Sequence, residues 1–365
     1  MKILLIGSYS DESCIPAPLK VANSLFREFA NKEHHVKYFT YFDDGFKYTR
    51  IQKFFGKEKI ANRIYRFGIF PLLRETISFK PDIIQIVNAE AFYLPIYSLK
   101  IILNVKIIYL AHSNVEYLLK NALHLDRYSK YRLKTIEFFN SNFSDRILVL
   151  SRRESFLYYK RLKKKGSLIV VDNGVSEHKI IKTNFKYSKP FKIILIGSFY
   201  RKEKGIDILI NTLEQLGLDL ELTICSYDLN SVEDYKFNKN ILINLKYGLN
   251  ENDVLCEIRS NDLLIVPSKY EPFSLALLEG MSTGTLFLTT SRVGFSERLP
   301  KELKRFIYDI NNEKELLYKI IEIINMDLNE KVNFSNMIKD FSIKFSWNEV
   351  ADKYLKIYTD ILNGK

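Results

Sequence analysis

The stretch Pro267-Ser-Lys-Tyr-Glu271-Pro-Phe273-Ser274-Leu275-Ala-Leu-Leu-Glu279-Gly-Met-Ser-Thr-Gly284 decides how this chain is read. Just before it, Asp262-Leu-Leu-Ile-Val266 is short and continuously apolar, and reads as a buried strand. The chain then passes through a Pro-bounded turn into an apolar helical stretch that ends near Gly284. A strand, a short loop and a helix N-terminus make an anion site, because unpaired N–H groups and the helix dipole face the ligand. Glu271 falls in the loop, and Glu279 lies more than a turn into the helix. Carboxylates accept hydrogen bonds from sugar hydroxyls. Two of them flanking a phosphate-binding terminus point to a ligand with a diphosphate in the middle and hydroxyls on both sides, such as a nucleotide sugar.

On either side of this stretch, apolar runs alternate with helical patterns. Strands are expected at 2–7, 36–40, 83–88, 106–112, 146–150 and 168–171, with helices at 17–32 and 114–140 among them. A second series of strands is expected at 191–196, 220–225, 241–245, 262–266 and 285–289. Such alternation means βαβ units, a mostly parallel sheet, and ligands at the carboxyl ends of the strands. At 365 residues the chain suits two such domains. The polar, Lys-rich stretch 179–190 is the expected linker.

The run from Glu271 to Gly284 resembles the signature of the retaining GT-B glycosyltransferases of family four, E-G-F-G-x-x-x-x-E-A-M-A-x-G. Pro272 and Ser274 stand in place of its two loop glycines. The resemblance implies an α/β fold of two doubly wound, Rossmann-like domains facing a cleft. Their bounds would be 1–178 on the acceptor side and 190–345 for the donor, with 346–365 a terminal helix returning to the first domain. It implies that Glu279 holds the ribose hydroxyls of the donor and that Glu271 lies by the donor sugar. The backbone of Phe273, Ser274 and Leu275 would bind sugar and phosphate. Gly197-Ser-Phe-Tyr-Arg201-Lys-Glu-Lys204-Gly205 resembles the family's G-R-x-x-x-x-K-G loop. Lys204 matches the Lys that grips the diphosphate, Ser198 replaces the Arg, and Arg201 or Lys202 is the substitute cation.

Further elements follow the same pattern. Asn173-Gly174-Val175 resembles the N-G-V element between the domains. Leu245-Lys-Tyr247-Gly248 resembles the segment whose backbone contacts the base, and Val293-Gly294-Phe-Ser-Glu297 resembles a G-G-x-x-E element. Gly7 stands where the family has a glycine-rich loop near acceptor and phosphate, although Ser13-Cys14-Ile-Pro16-Ala-Pro18 replaces its Gly-Gly. His112, at a strand end, matches a His that faces the donor sugar. The residue itself reads equally as a structural histidine. Its role on the family pattern is a hydrogen bond to a sugar hydroxyl or to an intermediate, rather than base catalysis. No Asp-x-Asp pair stands at a strand end, so no metal is expected, and no cofactor beyond the donor substrate, a UDP-sugar or GDP-sugar.

Charge adds a partner. The net charge is +12. Residues 1–180 carry 30 Lys and Arg against 17 Asp and Glu, and residues 181–365 carry 25 against 26. A basic half calls for an anionic partner. Stretches 152–165 and 63–74 interleave cations with aromatics, as membrane-surface helices do. A solvated helix face and an acceptor site for an acidic glycan are the competing uses. No nucleic-acid-binding module is recognisable. Cys14, Cys225 and Cys256 are few, odd in number and widely spaced, which fits a reducing cytoplasm. No apolar run is long enough to span a bilayer, and the N-terminal run reads as a strand rather than a signal peptide.

The expected protein is therefore a cytoplasmic, metal-independent hexosyltransferase, peripheral at the inner face of the membrane. Its acceptor would be a glycan or lipid-linked intermediate in cell-surface polysaccharide synthesis. A nucleotide-sugar epimerase of the same fold, and a catalytically idle nucleotide-sugar-binding partner of a membrane glycan complex, are the alternatives.

Overall fold

The computed structural model describes residues 1–9, 17–41, 49–87, 91–113, 115, 117, 119, 126–160, 167–185, 189–197, 201–226 and 241–364. Two compact units result. One comprises the described residues before Asn173 together with the C-terminal helix from Trp347. The other is Asn173–Ser346.

The first unit is built on strands β1 (Lys2–Ile6), β2 (His35–Tyr41), β3 (Lys57–Ala61), β4 (Ile64–Phe67), β5 (Ile83–Ile86), β6 (Lys106–Ala111), β7 (Arg146–Val149) and β8 (Leu168–Val170). Their order is β3-β4-β2-β1-β5-β6-β7-β8, parallel except for β3 against β4. Ile3-Leu-Leu-Ile6 is wholly buried, as a strand covered on both faces must be. The helices are α1 (Ala17–Asn31), α2 (Arg50–Phe55), α3 (Ile69–Phe79), α4 (Leu99–Leu103), α5 (Arg127–Phe143) and α6 (Arg152–Tyr159). α1 shows why they cover the sheet: Val21, Ala22, Leu25 and Phe29 recur at helical spacing and are buried.

The second unit holds β9 (Phe191–Ile196), β10 (Leu220–Ser226), β11 (Ile241–Tyr247), β12 (Leu263–Val266), β13 (Leu286–Thr290) and β14 (Ile307–Tyr308). These form an all-parallel sheet of order β11-β10-β9-β12-β13-β14. Its helices are α7 (Ile206–Glu214), α8 (Glu251–Ser260), α9 (Leu275–Ser282), α10 (Glu313–Asn325) and α11 (Leu328–Ile343). The last helix, α12 (Trp347–Leu362), belongs to the first unit. There Tyr358 packs edge-on against Phe29 at 5.6 Å, and Asp352 pairs with Lys32 at 2.8 Å.

Each sheet reverses its winding once. β1 lies between β2 and β5, and β9 lies between β10 and β12. Doubly wound sheets bind ligands at such switch points, outside the carboxyl ends of the strands. The residues just past those ends are Gly7 and Val87 in one unit, and Gly197 and Pro267 in the other.

Three sequence expectations are corrected. The stretch 63–74 is not one helix. Ile64–Phe67 is a strand that pairs with β2, and Gly68 then caps the start of α3. A helix over 114–140 is not continuous to its end: α5 begins at Arg127, where the Asp126 side chain accepts from the Ser129 N–H at 2.6 Å. The chain divides after Asp172 rather than within 179–190, because Lys182 is buried in the second unit and donates to the carbonyls of Asn261 and Arg259, at 2.6 and 3.2 Å. Ser13, Cys14, Asn114, Ser198 and residues 161–165 of the basic stretch lie outside the described residues.

Candidate active site

The second unit brings together the loop after β9 and the loop after β12. Gly205 decides how closely. Its φ is +68°, a left-handed value that glycine adopts freely, and a Cβ there would stand 2.0 Å from the Pro267 carbonyl oxygen. The Lys269 N–H donates to the Glu203 carbonyl at 2.7 Å, stitching the loops together. Lys204, just before Gly205, thereby reaches across to Glu271. Its Nζ donates to Glu271 Oε1 at 2.9 Å, and Ser268 Oγ donates to Oε2 at 2.8 Å. Both charged side chains are about one-sixth exposed, at 17 and 16 %. The stem of Lys204 lies over Gly197, with Lys204 Cδ 3.5 Å from where a Cβ would be.

The backbone of Glu271 is fixed by the chain after β13. Its N–H donates to Arg292 O at 3.3 Å, its carbonyl accepts from Gly294 N–H at 2.8 Å, and Phe295 N–H donates to Phe273 O at 2.9 Å. This gives the 293–297 element a function that its partial motif match did not reveal. The ring of Phe273 is buried against Phe295, with centroids 5.0 Å apart, so only its backbone can face a ligand. Ser274 caps α9, its Oγ accepting from Leu277 N–H at 3.2 Å. It does so at φ 89°, a value that an L residue adopts only under strain. The family motif carries a glycine at this position. Leu275 opens the first turn of α9, whose N–H groups have no carbonyl partner within the helix. Glu279 is buried inside α9.

Arg201 is turned to its own loop, its Nε donating to Glu203 Oε1 at 2.6 Å. Tyr247 ends β11, the outermost strand, two strands from β9. Cys225 and Ser226, at the end of β10, occupy the intervening edge; no motif marked them.

In the first unit, Gly7 closes β1 where a Cβ would stand 2.3 Å from Val87 Cγ2, so no side chain fits. Beside it, Tyr38 OH donates to Ser8 O at 2.6 Å. His112 follows β6. Its ring bonds the Val87 backbone, and its Nε2 is shut off from solvent without a partner among the described residues. Burial pushes its pKa down to about 4, so the ring is neutral at pH 7. The carbonyl of the next residue, Ser113, leads to a cluster that the motifs missed. Tyr158 OH donates to Ser113 O at 3.3 Å, and Tyr109 OH donates to Glu137 Oε2 at 3.4 Å. Burial raises the Glu137 pKa, opposed by hydrogen bonds from Tyr158, Ser141 and Tyr109. The available signal was Glu137 and Asn140 standing beside Ile136 on the apolar stripe of α5.

Two family models match the chain: Glycosyltransferase Family 4 over residues 20–179, and Glycosyl transferases group 1 over residues 176–341. The chain is a glycosyltransferase of the GT-B type. An uncharacterised glycosyltransferase of Methanocaldococcus jannaschii is 26 % identical over 251 residues, which is 68 % of this chain and 67 % of that one. Glycogen synthases among its relatives are matched over less than half their length. Sucrose-phosphate synthase from Thermosynechococcus elongatus superposes with a TM-score of 0.76 at 14 % identity, covering 100 % of both chains. Anabaena HepE in complex with UDP and glucose superposes at 0.72, also at 14 % identity, over 99 % of this glycosyltransferase and 100 % of HepE. At such identities the likeness is one of fold.

Two expectations arise here. Ser274→Gly relieves a strain of about 1–3 kcal/mol and gives up only a few tenths as a cap, so it should stabilise the second unit by about 1 kcal/mol. Ser274→Ala keeps the strain and loses the cap, and should destabilise by about 1 kcal/mol. Denaturant melts of the two variants check this, and the reverse order would contradict the strained cap.

The second concerns His112, which should stay neutral well below the ordinary histidine value of about 6.5. Its folded pKa is depressed, so its stability contribution is complete above about 6.5 and is lost as pH falls towards about 4. An NMR titration, with the signal assigned by its absence in His112→Gln, should show no His112 midpoint between pH 5 and 8. A midpoint near 6.5 would mean an open, hydrated ring.

Proposed function

We propose that this glycosyltransferase moves a hexose from a nucleotide-diphospho-sugar to a glycan or lipid-linked acceptor, with retention of configuration and without a metal. The observation that carries the reading is the Lys204–Glu271–Ser268 arrangement at the β9/β12 switch point, ahead of the first turn of α9. Anabaena HepE, of the same fold, binds UDP and UDP-glucose, which supports a donor of this class. In the proposed complex the diphosphate meets Lys204 and the amides of Ser274 and Leu275. Glu279 accepts from the ribose hydroxyls and Glu271 from the donor sugar. The backbones of Gly197 and Tyr247 line the phosphate and base, with Arg201 as a further cation. Gly7 lies on the acceptor side, and the neutral His112 bonds a sugar hydroxyl through Nε2.

Chemically, the bond between the anomeric carbon and the diphosphate oxygen breaks, and a bond to the acceptor oxygen forms on the same face. The acceptor proton passes to the departing diphosphate, whose charge Lys204 stabilises. The work is proposed to occur at the cytoplasmic face of the membrane. The basic first half of the chain, with α6 among its cations, supports this, and cell-surface polysaccharide synthesis is the proposed setting.

A thermal-shift screen of nucleotides and nucleotide sugars tests the donor class. A cognate ligand at about 100 times its Kd stabilises by roughly 2.7 kcal/mol. Glu279→Ala should weaken nucleotide binding by on the order of 1.5–3 kcal/mol, the range for hydrogen bonds to a charged group. Glu271→Ala should spare nucleoside diphosphate affinity and cut turnover instead. Calorimetry with UDP and GDP separates the two, and equal losses in both variants would contradict the division of roles.

Lys204→Ala should slow transfer by about 100-fold or more, the usual cost of removing a preorganised donor of this kind. Transfer by the unaltered enzyme should survive a chelator. Abolition by chelation, with rescue by a divalent cation, would overturn the metal-free mechanism.

A further inference from the structure

α2 and α3 carry a stack of phenylalanines on the outside of the first unit. Phe55 and Phe70 stack with centroids 5.1 Å apart, and Phe54 lies 6.3 and 6.5 Å from Phe70 and Phe55. Exposure is 45 % for Phe54, 64 % for Phe55, 54 % for Phe70 and 75 % for the neighbouring Ile51. A contiguous aromatic patch left in water is costly, and a soluble surface rarely retains one without a use. This one is held in place. Thr49 and Gln52 close a capping box on α2. Gly68 admits the α2 backbone so closely that a Cβ would stand 2.6 Å from the Phe54 carbonyl carbon, and its N–H donates to Gly56 O at 2.7 Å.

Charge identifies the occupant. Residues 49–80 carry eight Lys and Arg against two Asp and Glu. Both acids are already used, Glu58 by Arg66 and Glu75 by Lys57 and Arg74. Lys53, Lys59 and Arg63 have no ion pair among the described residues. A second copy of this chain would set one positive surplus against another. A bilayer with anionic headgroups offers both what the cations need and, just beneath, an apolar layer for the rings.

We propose that Ile51, Phe54, Phe55 and Phe70 form a membrane-inserting surface, with Lys53, Lys59 and Arg63 engaging anionic phospholipid headgroups around it. The patch is distinct in sequence from the basic helix α6 and does not rest on the donor-site reading. Each cation near such a surface raises partitioning about fivefold. Each ring withdrawn from water adds about tenfold.

The full chain is sedimented with vesicles of phosphatidylglycerol and phosphatidylcholine, and with phosphatidylcholine alone, at low and high salt. The unaltered protein should pellet with the anionic vesicles, and Phe54→Ser/Phe55→Ser should reduce its partitioning by tenfold or more. Arg152→Glu/Arg153→Glu, in α6, should leave a residual binding that resists high salt. In a Phe55→Trp variant, indole emission should shift to the blue on adding anionic vesicles. Equal pelleting of the Ser variant and the unaltered protein, or an unshifted indole, would overturn the proposal. So would no pelleting at all, or a dimer of the unaltered protein that the Ser variant abolishes. A nucleotide thermal shift on the same samples reports the donor site independently.

Discussion

The meeting of the loops after β9 and β12 in the second unit depends on the space that Gly205 leaves empty. With hydrogen in place of a Cβ, the loop after β9 settles on the carbonyl of Pro267, and Lys204 comes within hydrogen-bond reach of Glu271. Any larger residue would separate two loops that belong to strands on opposite sides of the winding reversal. The resulting ion pair is sheltered enough to matter but not sealed, with about one-sixth of each side chain open. Exposed pairs contribute little and sealed ones lose much of their attraction to desolvation. An intermediate pair can exchange partners at modest cost. A ligand diphosphate carries more charge than one carboxylate, so on the proposed reading it draws Lys204 away and frees Glu271 for a neutral hydroxyl. Ser268, already donating to the other carboxylate oxygen, keeps Glu271 oriented while that happens.

The same economy explains the distortion at Ser274. α9 starts abruptly, and its start has a residue at positive φ. Glycine meets that need without strain. Serine meets it with strain and returns part of the cost through its cap to Leu277. The rigid stitching of Glu271 and Phe273 to the segment after β13 is what over-determines the conformation and lets the strained residue persist.

Much of this was legible in the sequence, for physical reasons. Strands buried on both faces must be continuously apolar, so β1, β6, β9 and β12 announced themselves, and their alternation with helices fixed the parallel sheets. The placement of Glu271, Glu279 and Lys204 at strand ends and in α9 was legible because spacing relative to a strand end survives folding. What escaped was whatever tertiary context decides. β3 is an edge strand with three charges in Lys57-Glu-Lys-Ile-Ala61, and its burial pattern is exposed to intermediate throughout, so it gave no apolar signal. The stretch 63–74 looked helical because its cations and aromatics are interleaved, but Gly68 divides it into a strand and a helix. The Tyr158–Glu137–Tyr109 cluster draws its members from α6, α5 and β6, a proximity that no local pattern encodes.

The surroundings of His112 set it in one chemical state. Burial keeps its ring neutral, and the Val87 backbone takes one of its nitrogens, so among the described residues a single nitrogen is left without a partner. A ring in that state cannot supply positive charge to a leaving group. It can bond a hydroxyl, and it does not lose that ability as pH drifts by a unit around neutrality. On the proposed reading, the positive charge that a departing diphosphate requires comes from elsewhere: from Lys204 at the β9/β12 switch point, with Arg201 as a further cation. On the proposed reading, orientation by a neutral group and charge neutralisation by a lysine fall to different residues.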